Sequence, residues 1–88
     1  MKSVTLNQYV VYIVECVDLT LYVGSTSNLE KRIHEHNHAK KGAHYTKIRR
    51  PVVLKYSETF QTLKDARSRE AAIKRLSREK KLNLLMKK

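Results

Sequence analysis

The chain has 88 residues, of which 19 are Lys or Arg and 8 are Asp or Glu, and its formal net charge at pH 7 is +11. A chain of this length forms a single domain, residues 1–88, and cannot bury a second hydrophobic core. Because such an excess of positive charge destabilises a small fold by self-repulsion, it indicates a polyanionic partner. Nucleic acid is the first candidate and an anionic membrane surface the second.

A position within the membrane or outside the cell is not expected. The longest apolar run, residues 9–14, is far shorter than the ~20 residues of a membrane-spanning helix. The residues before it lack the apolar segment of a signal peptide. Cys16 is the only cysteine, so it cannot form an internal disulfide and is expected to be a small buried residue. The sequence therefore predicts a cytoplasmic protein, or a nuclear one if the source is eukaryotic.

Two short strands are predicted near the start of the chain. Residues 9–16 are rich in Val, Ile and Tyr, and residues 21–24 form a second, shorter strand. The turn between them, residues 17–20, contains neither Asn-Gly nor Asp-Gly, the pairs that favour a defined hairpin. The register of this hairpin, and with it the way Tyr12 faces Tyr22, therefore stays open.

The first helix is predicted to begin at Ser27. Ser27 is a favourable N-cap, and Glu30 three residues later completes a capping box. Leu29 and Ile33 form the apolar side of this helix. The basic segment at residues 42–50 shows no periodicity and is predicted to be a loop.

The second half of the chain contains one more strand and two more helices. Residues 51–60 are predicted to form the third strand, Thr62 to cap a helix that ends near Arg75, and Ser77 to begin a short last helix. The order ββαβαα predicts an α+β fold, a small three-stranded antiparallel sheet flanked by helices.

Glu70 stands out on the second predicted helix. Leu63, Ala66 and Ile73 mark the apolar face of this helix, and Glu70 shares their spacing. A carboxylate on a core-facing side is costly unless it is paired or binds a cation. Two interpretations follow: an ion pair with a neighbouring arginine, or a ligand for Mg²⁺, which one carboxylate and several water molecules suit.

Two pairs of side chains share a face of the first helix. Arg32 and His36 are four residues apart, and a guanidinium can hold two phosphate oxygens, although an exposed arginine is more often only a solvated charge. His34 and His38 have the same spacing but lack a third ligand that would complete a zinc site. They are expected to be surface residues or phosphate contacts.

The predicted basic loop carries an aromatic residue among its cations. This composition suits phosphate contacts and base stacking, and a solvated loop is the alternative. The candidate nucleic-acid-binding residues here are His44, Tyr45, Lys47, Arg49 and Arg50.

The order of these residues resembles the signature of the GIY-YIG nuclease superfamily. Val10-Val11-Tyr12 and Tyr22-Val23-Gly24 are similar to its two tripeptides, with Val10-Val11 in place of Gly-Ile and Val23 in place of Ile. Neither replacement removes a functional group. Arg32, His36 and Glu70 stand where that superfamily has its helix arginine, a frequent histidine and its metal-binding glutamate.

Further segments resemble the small single-domain branch known as UPF0213 or the YhbQ type. They are residues 42–46, 49–51 and 73–77, and the whole resemblance covers residues 9–85. The last segment adds Lys74 and Arg75 to the candidate nucleic-acid-binding residues.

The resemblance implies hydrolysis of a DNA phosphodiester with Mg²⁺ or Mn²⁺ as cofactor. Tyr12 would be the general base on the attacking water, with its pKa lowered by nearby cations. Tyr22 would position the water or the scissile phosphate. Arg32 would stabilise the developing charge, supported by His36, which could instead support the base. Glu70 would hold one metal ion against the leaving oxygen.

Two other classes of function compete with this interpretation. A non-catalytic nucleic-acid-binding domain would have little use for Glu70, because a carboxylate repels an anionic ligand. A membrane-surface protein would need an amphipathic helix, and residues 80–88 come closest. Leu82 and Leu85 in that segment are instead expected to pack onto the domain.

The form of the DNA is a further expectation. A small free-standing core with an aromatic in a basic loop favours single-stranded or branched DNA over long duplex sites. Larger relatives carry a separate DNA-binding domain that this sequence lacks. Target selection would therefore fall to the core itself or to a protein partner.

Overall fold

The computed structural model describes residues 8–38 and 44–86, and its element order confirms the predicted α+β fold apart from one added helical turn. The elements are β1 (Tyr9–Glu15), β2 (Leu21–Thr26), α1 (Leu29–His38), α2 (His44–Lys47), β3 (Val53–Phe60), α3 (Leu63–Lys74) and α4 (Arg78–Leu85). Among the described residues, no helix is long and apolar enough to cross a membrane.

The strand β1 lies at the centre of an antiparallel sheet, between β2 and β3. Its residues Val11–Val14 are buried on both faces, which is why this strand has a continuous apolar run and not an alternating pattern. Tyr12 pairs with Gly24 of β2, and Val14 pairs with Tyr22. Because side chains alternate along a strand, this register places Tyr12 and Tyr22 on the same face of the sheet.

Helices cover both faces of the sheet. On one face Val11, Ile13 and Val23 pack with Ala66 and Ile73 of α3. On the other face the tyrosine Tyr12 packs in a second cluster with Val14, Cys16 and Val52, against which Leu29 and Ile33 of α1 lie. The predicted apolar side of α1 and the burial of Cys16 are therefore confirmed.

The last helix, α4, packs against the α3 side of the sheet. Leu84 and Leu85 pack against that core, whereas Leu82, which is half-buried like them, does not contribute to it. The packing expected of Leu85 is confirmed, and Leu84 is the second leucine of the contact.

The predicted start of α1 at Ser27 is wrong by one residue. Asn28 is the cap, because its Oδ1 accepts a hydrogen bond from the backbone N–H of Lys31 at 3.1 Å. Thr26 Oγ1 accepts the N–H of Asn28 at 3.1 Å and so holds the cap at the end of β2. Asn and Ser are similarly favourable at this position, and the local sequence could not separate them.

The other predicted helix starts are confirmed. Thr62 Oγ1 accepts the N–H of Asp65 at 3.0 Å, and Ser77 Oγ accepts the N–H of Lys80 at 3.2 Å. These caps are contacts within one turn of helix, so neighbouring residues suffice to predict them.

The segment predicted to be a loop contains the helical turn α2. His44–Lys47 are helical, whereas residues 42 and 43 lie outside the described part of the chain. Four residues are too few for a helical period to show in sequence. The third strand also begins at Val53 and not at Pro51.

Candidate active site

A buried chain of three polar side chains connects β1, α1 and α2. The Tyr12 hydroxyl lies 2.7 Å from Nε2 of His36, and Nδ1 of His36 lies 2.7 Å from Oγ1 of Thr46. Tyr12 is 1% exposed, and the other two side chains are 0% exposed. Their hydrogen bonds therefore form out of contact with solvent, where the alternative is an unsatisfied buried polar group.

Tyr22 extends this arrangement toward the surface. Its ring centroid lies 5.3 Å from that of His36 and 6.5 Å from that of Tyr12, and its side chain is half-buried. Tyr22 is therefore more accessible to a substrate than Tyr12.

Arg32 provides the positive charge of this face. Its Nη1 donates to Oε1 of Glu35 at 3.1 Å, and its side chain is 27% exposed. The charge of this guanidinium also acts on the Tyr12 hydroxyl, where it favours a lower pKa. An arginine with exposed donors beside two tyrosines is suited to contact a phosphate.

Burial determines the protonation of Tyr12 and His36. It raises the pKa of Tyr12 to about 12, although the hydrogen bond from Arg32 acts in the opposite direction. Burial, together with the charge of Arg32, lowers the pKa of His36 to about 4. The expectation that nearby cations lower the pKa of Tyr12 is therefore wrong for the protein alone, because desolvation outweighs the guanidinium.

Glu70 lies on the opposite side of β2. Oγ of Ser25 donates to its Oε1 at 2.7 Å, and Nζ of Lys74 lies 2.9 Å from its Oε2. Glu70 therefore forms an ion pair, as one of its two interpretations predicted, but its partner is a lysine and not an arginine. Although burial opposes it, the hydrogen bonds from Lys74 and Ser25 lower the pKa of the Glu70 carboxyl.

The edge strand β2 separates the two groups of side chains. Tyr22 projects from the α1 face of this strand, and Ser25 projects from the α3 face. The charge of Glu70 nevertheless acts across the strand, where it favours a higher pKa of Tyr12. The five predicted catalytic residues therefore surround one edge of the sheet.

The oxygen donors at Glu70 suit a magnesium ion held through a single carboxylate. Mg²⁺ keeps several water molecules and binds through one or two carboxylates together with substrate phosphates. In the described ranges, no three His, Cys, Asp or Glu side chains cluster as a metal site. His34 and His38 pack with ring centroids 4.6 Å apart on the exposed side of α1.

The predicted nucleic-acid-binding residues lie in different surroundings. Arg49 donates from Nε to Asp18 at 3.1 Å, and Arg50 donates from Nη2 to the carbonyl of Glu35 at 3.2 Å and from Nε to that of His36, so both arginines hold parts of the domain together. Lys47 and Arg75 are exposed, and Lys74 is in the ion pair with Glu70. His44 and Tyr45 belong to α2, and their side chains lie outside the described part of the structure.

A comparison with known families matches this arrangement. The family described as "GIY-YIG catalytic domain" matches residues 8–83. The chain belongs to this family. Membership of the GIY-YIG family implies nuclease activity and binding of nucleic acid.

Related proteins of the same kind cover most of the chain. The UPF0213 protein of Syntrophus aciditrophicus is 55% identical over 75 residues, which are 85% of this chain and 86% of that protein. The UPF0213 protein of Staphylococcus saprophyticus is 50% identical over 80 residues, or 91% of this chain and 96% of that protein. The solution NMR structure of the UPF0213 protein from Bacillus halodurans is 38% identical, with a TM-score of 0.58, over 89% of this chain and 82% of that one.

The geometry explains the glycine of the second GIY-YIG tripeptide. A Cβ atom added to Gly24 would lie 2.5 Å from the hydroxyl oxygen of Tyr12 and 2.7 Å from its Cζ. The Tyr12 ring therefore occupies the space that a side chain at position 24 would need. Glycine at this position lets the first GIY-YIG tyrosine reach His36.

Thr46 is one of two residues of this site that sequence reasoning missed, the other being Ser25, which donates to Glu70. Thr46 ends the segment 42–46 that resembles the UPF0213 branch, but that resemblance assigned no role to the threonine. The pairing of Thr46 with His36 joins residues on two different helices, α1 and α2, so helical spacing could not reveal it.

Proposed function

We propose that this protein is a Mg²⁺- or Mn²⁺-dependent endonuclease that hydrolyses phosphodiester bonds in DNA, preferentially in single-stranded or branched regions. The observation that supports this most is the hydrogen bond between Tyr12 and His36, next to the edge strand whose Ser25 holds Glu70. A hydrogen-bonded polar pair buried where apolar side chains could pack argues for a role beyond packing.

Arg32 and Tyr22 are the substrate-facing groups of the proposed mechanism. Arg32 binds a nonbridging phosphate oxygen and stabilises the charge that develops there in the transition state. The accessible Tyr22 positions the attacking water or the phosphate. The net charge of +11 attracts the DNA backbone to the domain.

Tyr12 acts as the general base only together with His36. Because burial raises the pKa of Tyr12 to about 12, its phenolate is scarce at neutral pH. The Tyr12 oxygen takes a proton from the attacking water while its own hydroxyl proton passes to Nε2 of His36. The neutral state of His36 leaves that nitrogen able to accept it.

Glu70 would hold the divalent cation, with Ser25 keeping the carboxylate in position. The cation would supply Lewis-acid stabilisation of the leaving oxygen. Lys74 has to leave Oε2 of Glu70 for this to happen, and the released ammonium then faces the DNA phosphates. With DNA as substrate the protein would act in the cytoplasm, guided by its own core or by a protein partner.

The test is cleavage of labelled single-stranded, duplex and branched DNA in Mg²⁺ or in EDTA. We expect cleavage in Mg²⁺ only, fastest on the single-stranded or branched substrates, and at least about 100-fold slower in Glu70→Gln. Glu58→Gln is the matched control, because Glu58 is a second ion-paired glutamate that contacts α3. Equal cleavage in EDTA, or by Glu70→Gln, would contradict the proposal.

A non-catalytic DNA-binding domain is the second candidate. The lysine that occupies Glu70 and the raised pKa of Tyr12 favour it, because both oppose metal loading and base catalysis. This alternative predicts DNA binding in a fluorescence anisotropy assay with all three DNA forms intact after long incubation in Mg²⁺ or Mn²⁺.

A further inference from the structure

The two hydrogen bonds of the buried chain Tyr12–His36–Thr46 can run in either of two directions. The groups around the chain determine which of the two forms. A neutral imidazole has one nitrogen that donates and one that accepts, so the hydrogen bond at one ring nitrogen determines the role of the other. His36 uses both ring nitrogens, at 2.7 Å to Tyr12 and at 2.7 Å to Thr46. The state of the Tyr12 hydroxyl is therefore coupled to Thr46.

Arg32 breaks the symmetry between the two possible tautomers. A guanidinium has only donors and its charge acts to lower the pKa of Tyr12, so the arrangement in which the Tyr12 oxygen faces Arg32 is favoured. The hydroxyl proton of Tyr12 then points toward its other neighbour, Nε2 of His36. Nε2 consequently accepts, and the imidazole proton lies on Nδ1, directed at Oγ1 of Thr46.

We propose that Thr46 is a positioning residue of the nuclease site, which accepts the Nδ1 proton of His36 and thereby holds Nε2 ready for the proton of Tyr12. The assignment of the tautomer stands on the two 2.7 Å contacts of His36 and on the charge of Arg32 near Tyr12. Only its consequence for cleavage rests on the proposed function.

The backbone around Thr46 is fixed to the rest of the domain. Its carbonyl accepts the N–H of Arg49 at 2.9 Å, and the carbonyl of Arg49 accepts the N–H of Val17 at 3.0 Å. Arg50 donates from its side chain to the backbone carbonyl of His36. The turn between β1 and β2 and the end of α1 therefore hold α2 in place, and with it the Thr46 hydroxyl.

The choice of substitutions follows from the shape of threonine. Thr46→Val keeps the branched shape and removes the hydroxyl, whereas Thr46→Ser keeps the hydroxyl and removes a methyl group. Thr59→Val, at an exposed position on β3, is the matched control for loss of a threonine hydroxyl. Circular dichroism spectra would verify that each variant is folded.

The first measurement is the tautomer of His36 in the ¹⁵N-labelled full chain, by long-range ¹H–¹⁵N NMR of the histidine rings at neutral pH. His36→Gln identifies the His36 signals by their loss. We expect the Nδ1–H form in the wild type, in Thr46→Ser and in Thr59→Val, and a shift toward Nε2–H in Thr46→Val. A wild-type protein with Nε2–H would overturn the proposal, and so would a Thr46→Val spectrum equal to that of the wild type.

The second measurement is cleavage under single-turnover conditions, with DNA affinity determined separately by anisotropy. Removing a supporting partner of this kind typically costs about 10- to 100-fold, and we expect that loss in Thr46→Val with unchanged DNA affinity. Thr46→Ser should stay within about 3-fold of the wild type because it keeps the acceptor. Equal rates for the valine and serine variants would overturn the positioning role. If the wild type cuts no DNA, the proposed nuclease function fails, and the NMR result decides the role of Thr46 alone.

Discussion

The edge strand β2 divides the candidate site into two parts that are held by different interactions. The tyrosine–histidine half consists of Tyr12, Tyr22, His36 and Thr46, and the carboxylate half consists of Ser25, Glu70 and Lys74. In the first half Tyr12, His36 and Thr46 are buried and connected by hydrogen bonds of 2.7 Å, and Tyr22 lies half-buried beside them. The second half is partly exposed and contains an ion pair whose lysine is 54% exposed. The first half is therefore preorganised, whereas the second must exchange a partner before it can bind a cation.

A second glutamate in contact with α3 makes the difference clearer. Glu58 is held by Arg69 through two parallel hydrogen bonds of 3.0 Å, and it also accepts the hydroxyl of Tyr56. Such a two-point guanidinium pair is specific and difficult to replace. Glu70, the next residue after Arg69, has only a serine and a flexible lysine, which is the arrangement expected of an exchangeable site.

Removing the Tyr12 hydroxyl tests the tyrosine–histidine half most severely. We expect Tyr12→Phe to lower the cleavage rate by about 10²- to 10⁴-fold, because it removes the proposed proton donor to His36. The measurement is single-turnover cleavage of branched DNA in Mg²⁺. Tyr9→Phe makes the same change on the opposite face of β1 and should cut normally. Wild-type activity in Tyr12→Phe would show that Tyr12 is not the general base.

A methyl group at Gly24 should disrupt the packing of the tyrosine–histidine half by a steric clash. In Gly24→Ala the new Cβ would lie 2.5 Å from the buried Tyr12 hydroxyl oxygen, so the ring must move away from His36. We expect a loss of up to about 3 kcal/mol in the free energy of unfolding, typical of an overpacked core. Urea unfolding followed by circular dichroism measures it. An unchanged midpoint would mean that the Tyr12 ring is not confined as described.

Acid should weaken the tyrosine–histidine half through His36. Its pKa is about 4 in the folded protein and 6.5 as its ordinary value, so between these values the unfolded chain binds more protons. Stability from neutral His36 is therefore complete above pH 6.5 and is lost as the pH falls toward 4.

We expect the free energy of unfolding at pH 5 to be about 2 kcal/mol below that at pH 7. Urea unfolding at the two values measures the difference, with His34→Gln as the exposed-histidine control. The loss should persist in His34→Gln and largely disappear in His36→Gln. An equal loss of stability in both variants would mean that groups other than His36 cause it.

The smallest effect is expected in the carboxylate half. Lys74→Met removes the cation that pairs with Glu70, and we expect Mn²⁺ affinity to rise by about 3- to 10-fold, because partly exposed charges interact weakly. Isothermal titration calorimetry measures this affinity. Lys55→Met removes the same charge from a different ion pair, with Glu15, at 3.8 Å. A similar rise in both variants would reflect net charge and not competition at Glu70.

Local sequence patterns predicted most of the fold. The caps at Thr62 and Ser77 and the apolar side of α1 depend on residues within a turn or two, and all of them are confirmed. The start of α1 was missed because Ser27 and Asn28 are similarly good caps, and the contacts of Asn28 with Lys31 and Thr26 distinguish them. The turn α2 was missed because four residues are too short to show a period.

The site could be predicted in its residue types but not in its electrostatics. The spacing of Arg32 and His36 and the carboxylate on the apolar face of α3 are properties of single helices, readable along the chain. The sequence also indicated that a cation would compensate Glu70. It could not specify Lys74 over an arginine, since the ion pair depends on side-chain geometry around the helix.

What the sequence determined by itself is therefore the set of elements, the positive charge and the chemical groups available to a nuclease of this family. The tertiary structure alone decided how those groups are protonated and held. The pKa of Tyr12 depends on how completely β1 and α1 bury it, and the role of Thr46 depends on α2 reaching His36. Desolvation and hydrogen bonds between distant segments act only once the chain has folded, so neither has a signature in the order of residues.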